Sequence, residues 1–169
     1  MKYLLLTLTV IASAAFAEPG KLVNPPYDAP KITAPDHEGK DLNFADVYAK
    51  GITVVYFYPK ADTPGCTKQS CSLRDASQDF GKLGVQVLGV STDNPADQKA
   101  FKEKFSLPFT LIADEKAAVL DAFKVAKNKG GRATRQCFIV KDGKVVWHAP
   151  NASTETQADD VKAALKDLK

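Results

Sequence analysis

The run Ile52-Thr53-Val54-Val55-Tyr56-Phe57-Tyr58 is β-branched or aromatic throughout, and Pro59 ends it. A strand without polar alternation is buried on both faces, so it sits inside a sheet with helices on either side. Val85-Gln86-Val87-Leu88-Gly89-Val90 is a second strand of this kind, and Phe109 to Ile112 a third. Between them lie helical patterns. From Thr67 to Leu83, residues Leu73, Ala76, Phe80 and Leu83 recur at helical spacing, and Asn94-Pro95 starts a helix that runs to about Phe105. Lys116 to Lys124 reads as a further helix. Alternating strands and helices imply parallel βαβ units.

The chain then changes style. Gln136 to Lys141 and Lys144 to His148 flank Asp142-Gly143, a strong hairpin signal. Thr154-x-x-Gln157 reads as a capping box for a last helix with the stripe Val161, Ala164, Leu165 and Leu168. The expectation is an α/β domain with a mixed central sheet flanked by helices. A short hairpin over Lys31 to Leu42, turning at Glu38-Gly39-Lys40, and one or two helical turns from Asn43 to Lys50 precede it. The loop from Val125 to Thr134 reads as the most mobile, lysine-rich and solvated segment.

The chain has 169 residues, room for one domain. Residues 1–17 read as a secretory signal: Met1-Lys2, an apolar run from Tyr3 to Phe16, and an Ala15-Phe16-Ala17 cleavage site. The apolar run is shorter than the ~20 residues of a membrane span, so no stable insertion is expected after cleavage. A periplasmic or secreted location, where a disulfide can persist, follows. Residues 18–30, with Pro19, Pro25, Pro26 and Pro30, read as an extended linker, and residues 31–169 as the domain. The 23 Lys+Arg against 20 Asp+Glu leave a net charge of +3, too small and too interspersed for nucleic-acid binding.

The chemistry concentrates where the first buried strand meets a helix, at Tyr58-Pro59-Lys60-Ala61-Asp62-Thr63-Pro64-Gly65-Cys66-Thr67-Lys68-Gln69-Ser70-Cys71. Crevices beyond the carboxyl ends of strands host ligands in such folds. Cys66 falls in the first helical turn, where unpaired N–H groups and the helix dipole stabilise a thiolate. Pro64-Gly65 keeps the preceding backbone tight and bare. Two cysteines five apart fit poorly to structural zinc spacing, and His37, His148 and Cys137 are scattered, so no metal is expected. Within an intact helix an i,i+5 pair is turned by about 140° and separated by roughly 8.6 Å, beyond the ~7 Å limit for a disulfide. Either Cys66 and Cys71 never bond, or the helix start unwinds when they do.

Pro59-x-x-x-Thr63-x-x-Cys66 resembles the signature of the peroxiredoxins. The longer string through Cys71-Ser72-Leu73-Arg74-Asp75 is similar to the bacterioferritin-comigratory-protein and peroxiredoxin Q branch. Similar segments recur at Ala29-Pro30, Val87-Leu88-Gly89-Val90-Ser91-Thr92-Asp93 and Arg135-Gln136-Cys137-Phe138-Ile139-Val140, covering roughly residues 29–168. The resemblance implies a thioredoxin-like fold and a thiol peroxidase acting on hydrogen peroxide and organic hydroperoxides. It implies Cys66 as the peroxidatic cysteine, oxidised to a sulfenic acid, and Cys71 as the resolving cysteine of an intramolecular disulfide. It further implies Thr63 as a hydrogen-bonding partner of substrate or thiolate, Pro59 as a shield from water, and Arg135 as the guanidinium stabilising thiolate and peroxide. The expectation that goes with it is regeneration by a thioredoxin-like dithiol reductant, no cofactor, and a monomer or weak homodimer.

Arg132, three residues from Arg135, competes for the catalytic role; the matched position favours Arg135. Competing functions are a general thiol–disulfide oxidoreductase, which normally uses C-x-x-C, a copper-binding module, which wants a positioned histidine, and a redox sensor. Cys137 reads as a core thiol and Trp147 as sheet packing. Asn151-Ala152-Ser153 reads as a loop. Arg74 and Asp75 fit the pattern of that branch, but adjacent helix positions do not face each other, and solvated charges are the alternative reading.

Overall fold

The computed structural model describes residues 20–168. The leader expected at residues 1–17 and the first two residues of the linker lie outside them. In chain order the elements are β1 Lys21–Asp28, β2 Thr33–Pro35, β3 Asp41–Asn43, α1 Phe44–Tyr48, β4 Thr53–Phe57, α2 Pro64–Asp75, α3 Ser77–Lys82, β5 Gln86–Ser91, α4 Pro95–Lys104, β6 Thr110–Ala113, α5 Ala118–Ala122, β7 Gln136–Lys141, β8 Lys144–Ala149 and α6 Gln157–Asp167.

A six-stranded sheet runs β1-β8-β7-β4-β5-β6. β4, β5 and β6 are parallel, and β7, β8 and β1 join antiparallel. Every residue of β4 is buried. Its alternate side chains feed two cores, as the period of a strand requires. Val54 and Tyr56 face α2, α3, α4 and α6 through Leu73, Phe80, Phe101 and Val161. Val55 and Phe57 face α1 and α5 through Phe44, Val47, Leu120 and Phe123. Asp142 and Gly143 both have positive φ, 53° and 72°, the twist a two-residue hairpin needs.

Several expectations are revised. The segment read as a linker forms β1, which pairs with β8 and shifts register between Leu22 and Tyr27, around Pro25 and Pro26. Proline lacks the ladder donor and is tolerated at such an edge irregularity. The single helix expected over 67–83 begins earlier, at Pro64, and is divided at Ala76 into α2 and α3. The apolar stripe marked only its buried part, whereas Pro64 at the first position sets the true start. Leu83, placed on that stripe, is half exposed.

The capping box is not formed. Ser153 Oγ accepts from Glu155 N and Thr156 N, and Gln157 is the first helical residue, its side chain turned inward. Arg74 and Asp75 do meet: Arg74 Nη2 lies 2.8 Å from Asp75 Oδ1, while Arg74 Nη1 donates to Phe105 O at 3.0 Å. Long side chains at the end of α2 can bend toward each other although their Cβ atoms diverge. In the loop read as solvated, Asn128 Oδ1 accepts from Gly130 N and Arg132 N, and Lys127 pairs with Asp121.

Candidate active site

Three chain segments meet at the carboxyl end of β4 because of strand direction. β5 runs parallel to β4, so its end delivers Ser91 and Asp93 there. β7 runs antiparallel, with Phe57 opposite Gln136, so its beginning delivers Arg135. The loop from β4 itself leads through Pro59 to the first turn of α2.

Cys66 is the third residue of α2 and is buried, 1% exposed. Thr63 is the N-cap and Pro64 follows it; Thr67 N is the first amide to close an intrahelical bond, onto Thr63 O at 2.8 Å. The N–H groups of Gly65 and Cys66, at the positive end of the helix, therefore have no hydrogen-bond partner among the described residues. Arg135 Nη2 and Nη1 point at the Cys66 sulfur from 3.6 and 3.7 Å. A side chain at Gly65 would put a carbon 3.3 Å from Arg135 Nη2, so the bare backbone leaves room for the guanidinium. The Arg135 guanidinium thus faces the sulfur at the amino-terminal end of the helix, an arrangement that can stabilise charge developing on an oxygen–oxygen bond cleaved beside it.

Thr63 is half-buried, and its Oγ1 donates to Lys60 O at 3.0 Å, closing the turn before the helix. Pro59 is half-buried, and its carbonyl accepts from Arg132 Nη1 at 3.3 Å. The same Arg132 nitrogen pairs with Asp93 Oδ1 at 3.0 Å. The other Asp93 oxygen accepts from Ala61 N and Ser91 Oγ, both at 2.7 Å. Arg132 and Asp93 thereby brace the loop over 59–63, while Arg135 faces the sulfur. Cys71 is half-buried on the same helix, beside a surface groove of about 610 Å³ lined by Lys68, Ser72, Thr154 and Glu155. All three thiols are free. Both Cys66 and Cys71 lie within an unbroken α2, so geometry keeps them apart while it stays wound.

Several residues of this neighbourhood were not singled out by sequence. Gln69 is fully buried, and its Oε1 accepts from Arg135 Nη1 at 2.5 Å. Its Nε2 donates to Gln157 Oε1 at 2.8 Å. A lone glutamine in a helix gives no signal of burial, and the only available hint was that Gln69 lies three residues after Cys66, on its face. On the sheet side, Tyr56 Oη and Ser70 Oγ are 2.9 Å apart, fixing α2 to β4. Tyr58 Oη donates to Gln98 Oε1. Cys137 is fully buried in the same core as Cys66, and burial pushes its thiol far up, which keeps it protonated.

The sequence matches the AhpC/TSA family over residues 26–148. It is 40% identical over 146 residues to peroxiredoxin Bcp of Escherichia coli K12, an alignment covering 82% of this chain and 93% of that protein. The structure is similar to the peroxidoxin BcpB of Mycobacterium tuberculosis, with TM-score 0.79 and 28% identity, over 85% of this chain and 97% of that one. It is also similar to the bacterioferritin comigratory protein of Xanthomonas campestris, studied for alkyl peroxide reduction, with TM-score 0.75 and 30% identity, over 81% and 91% of the two chains.

Proposed function

The chain belongs to the AhpC/TSA family and is a thioredoxin-fold peroxidase of the Bcp and peroxiredoxin Q kind; from that premise we propose a two-cysteine catalytic cycle centred on Cys66. The observation that carries it is the Arg135 guanidinium, both terminal nitrogens within 3.7 Å of a sulfur in the first turn of α2. The Cys66 thiolate attacks the terminal peroxide oxygen. An S–O bond forms, the O–O bond breaks, and the departing oxygen leaves as water or alcohol after taking up a proton. Arg135 stabilises charge on both sides of that transfer. Thr63 turns its hydroxyl from Lys60 O to the peroxide, and Pro59 limits water at the sulfur.

The Cys71 thiolate then attacks the sulfenyl sulfur. An S–S bond forms and hydroxide leaves, which requires α2 to unwind between the two residues. Hydrogen peroxide and organic hydroperoxides are both substrates in this reading. The leader pattern at residues 1–17 supports export, and a thioredoxin-like dithiol of that compartment reduces the disulfide.

The test is peroxide consumption with a dithiol donor, joined to peptide mapping after one equivalent of peroxide. Wild type turns over and yields a Cys66–Cys71 bridge. Cys66→Ser loses turnover, and Cys71→Ser stops at the sulfenic acid. Turnover by Cys66→Ser, or a bridge from Cys66 to Cys137, overturns the assignment.

A further inference from the structure

Gln157 opens α6, yet its side chain is fully buried rather than capping the helix. Its Oε1 accepts from Gln69 Nε2 at 2.8 Å. Its Nε2 is buried and makes no hydrogen bond among the described residues. The carbonyl end is thus the one satisfied end of this buried amide, and what satisfies it is α2. Gln69 in turn holds Arg135 Nη1. A continuous line of polar contacts runs Gln157, Gln69, Arg135, Cys66. Two further contacts tie the same stretch of α2 to the start of α6: Ser72 Oγ accepts from Ala158 N at 3.1 Å, and Lys68 pairs with Glu155 at 3.1 Å.

We propose that Gln157 is a positioning residue that, through Gln69, holds Arg135 on Cys66 and latches α2 in its wound form until the sulfur is oxidised. The inference rests on the two-cysteine cycle proposed above. Peroxide reduction needs Gln69 in place, because it orients the guanidinium. Disulfide formation needs Gln69 displaced, because residues 66 and 71 cannot bond within an intact helix. Unwinding there strands the Gln157 carbonyl in a dry core, a costly state for any polar group. Oxidation itself loosens the other end of the line: conversion of a thiolate to a neutral sulfenic acid removes the charge that Arg135 faces. The latch therefore sets the race between attack by Cys71, which releases water and forms the disulfide, and attack by a second peroxide, which yields sulfinic acid.

The experiment compares full-length wild type, Gln157→Met, Gln157→Asn, Gln69→Met and the double variant Gln69→Met with Gln157→Met, each fully reduced. Quenched-flow mass spectrometry gives the rates of sulfenic acid formation, disulfide formation and sulfinic acid formation over a range of hydrogen peroxide concentrations. In Gln157→Met we expect disulfide formation to quicken by roughly tenfold and sulfenic acid formation to slow by roughly threefold, the scale of one buried hydrogen bond. The peroxide concentration giving half sulfinic acid then rises by about tenfold. Gln157→Asn, too short to reach Gln69, gives the same direction and serves if the methionine variant fails to fold. In the Gln69→Met background, Gln157→Met adds no further change, because the two act in series. A folded Gln157 variant with both rate constants and the sulfinic threshold unchanged overturns the latch. Absence of a Cys66–Cys71 disulfide in wild type overturns instead the cycle on which it rests, and the two failures are separate readings of the same spectra.

Discussion

Replacing Arg135 by lysine separates charge from geometry. Lysine keeps the positive charge, so most of a Coulomb attraction of about 1 kcal/mol in water, or about 4 kcal/mol at an effective dielectric of about 20, survives. It loses the planar fork that reaches Cys66 Sγ at 3.6 and 3.7 Å while also bonding Gln69 Oε1 at 2.5 Å. A compact ammonium can serve one of those partners. Loss of one hydrogen bond to a charged group is worth about 1.5–3 kcal/mol. At about 1.4 kcal/mol per tenfold, Arg135→Lys should lower the second-order rate constant for oxidation by about 10- to 150-fold.

Arg132→Lys is the matched control. Its guanidinium pairs with Asp93 and the Pro59 carbonyl, and its side chain is 37% exposed, so solvent screens much of the pair. A change of a few-fold in rate, with a small loss of thermal stability, is expected. The assay is stopped-flow oxidation of the reduced proteins under excess hydrogen peroxide, with rate plotted against concentration. A larger loss at Arg132, or equal losses at both, refutes the argument from proximity to the sulfur.

A β-carbon at Gly89 would sit 2.6 Å from Tyr56 Oη and 2.7 Å from Leu111 Cδ2. Gly89→Ala should therefore destabilise by about 1–3 kcal/mol through overpacking, seen in urea denaturation; an unchanged midpoint counts against the packing described. His148 is half-buried, stacks on Phe138 and meets Gln136 Oε1 at 2.8 Å, and burial holds its imidazole below the ordinary 6.5. The unfolded chain then takes up the proton first on acidification. The contribution to stability is present above 6.5 and is lost as pH falls through it toward the folded value. His148→Gln should flatten the fall in urea midpoint between about pH 7 and about pH 5, and an identical slope in both proteins removes His148 as its cause.

Local signals were legible wherever a residue's own neighbours decide its conformation. The uninterrupted β4 run, the Asn94-Pro95 start of α4 and the Asp142-Gly143 turn each state a backbone preference within a few positions, and each appears as read. Pairing partners were less legible. β1 was read as a linker because its prolines argue against a strand, and only β8 alongside supplies the bonds that make it one. Gln157 was read as a cap because Thr154-x-x-Gln157 has the right spacing, but burial against Gln69 outweighs local capping.

From the chain alone one could infer the alternation of strands and helices, the cysteine at a helix start and the conflict between its spacing from Cys71 and an intact helix. Those are properties of contiguous residues, governed by torsion preferences and helical rise. Which arginine faces the sulfur, and which buried amide stands behind it, was decided only when antiparallel β7 brought Arg135 to the end of β4 and α6 settled across α2. Residues 69 and 88 positions apart carry no mark of each other in sequence, since their contact is a product of sheet direction and packing.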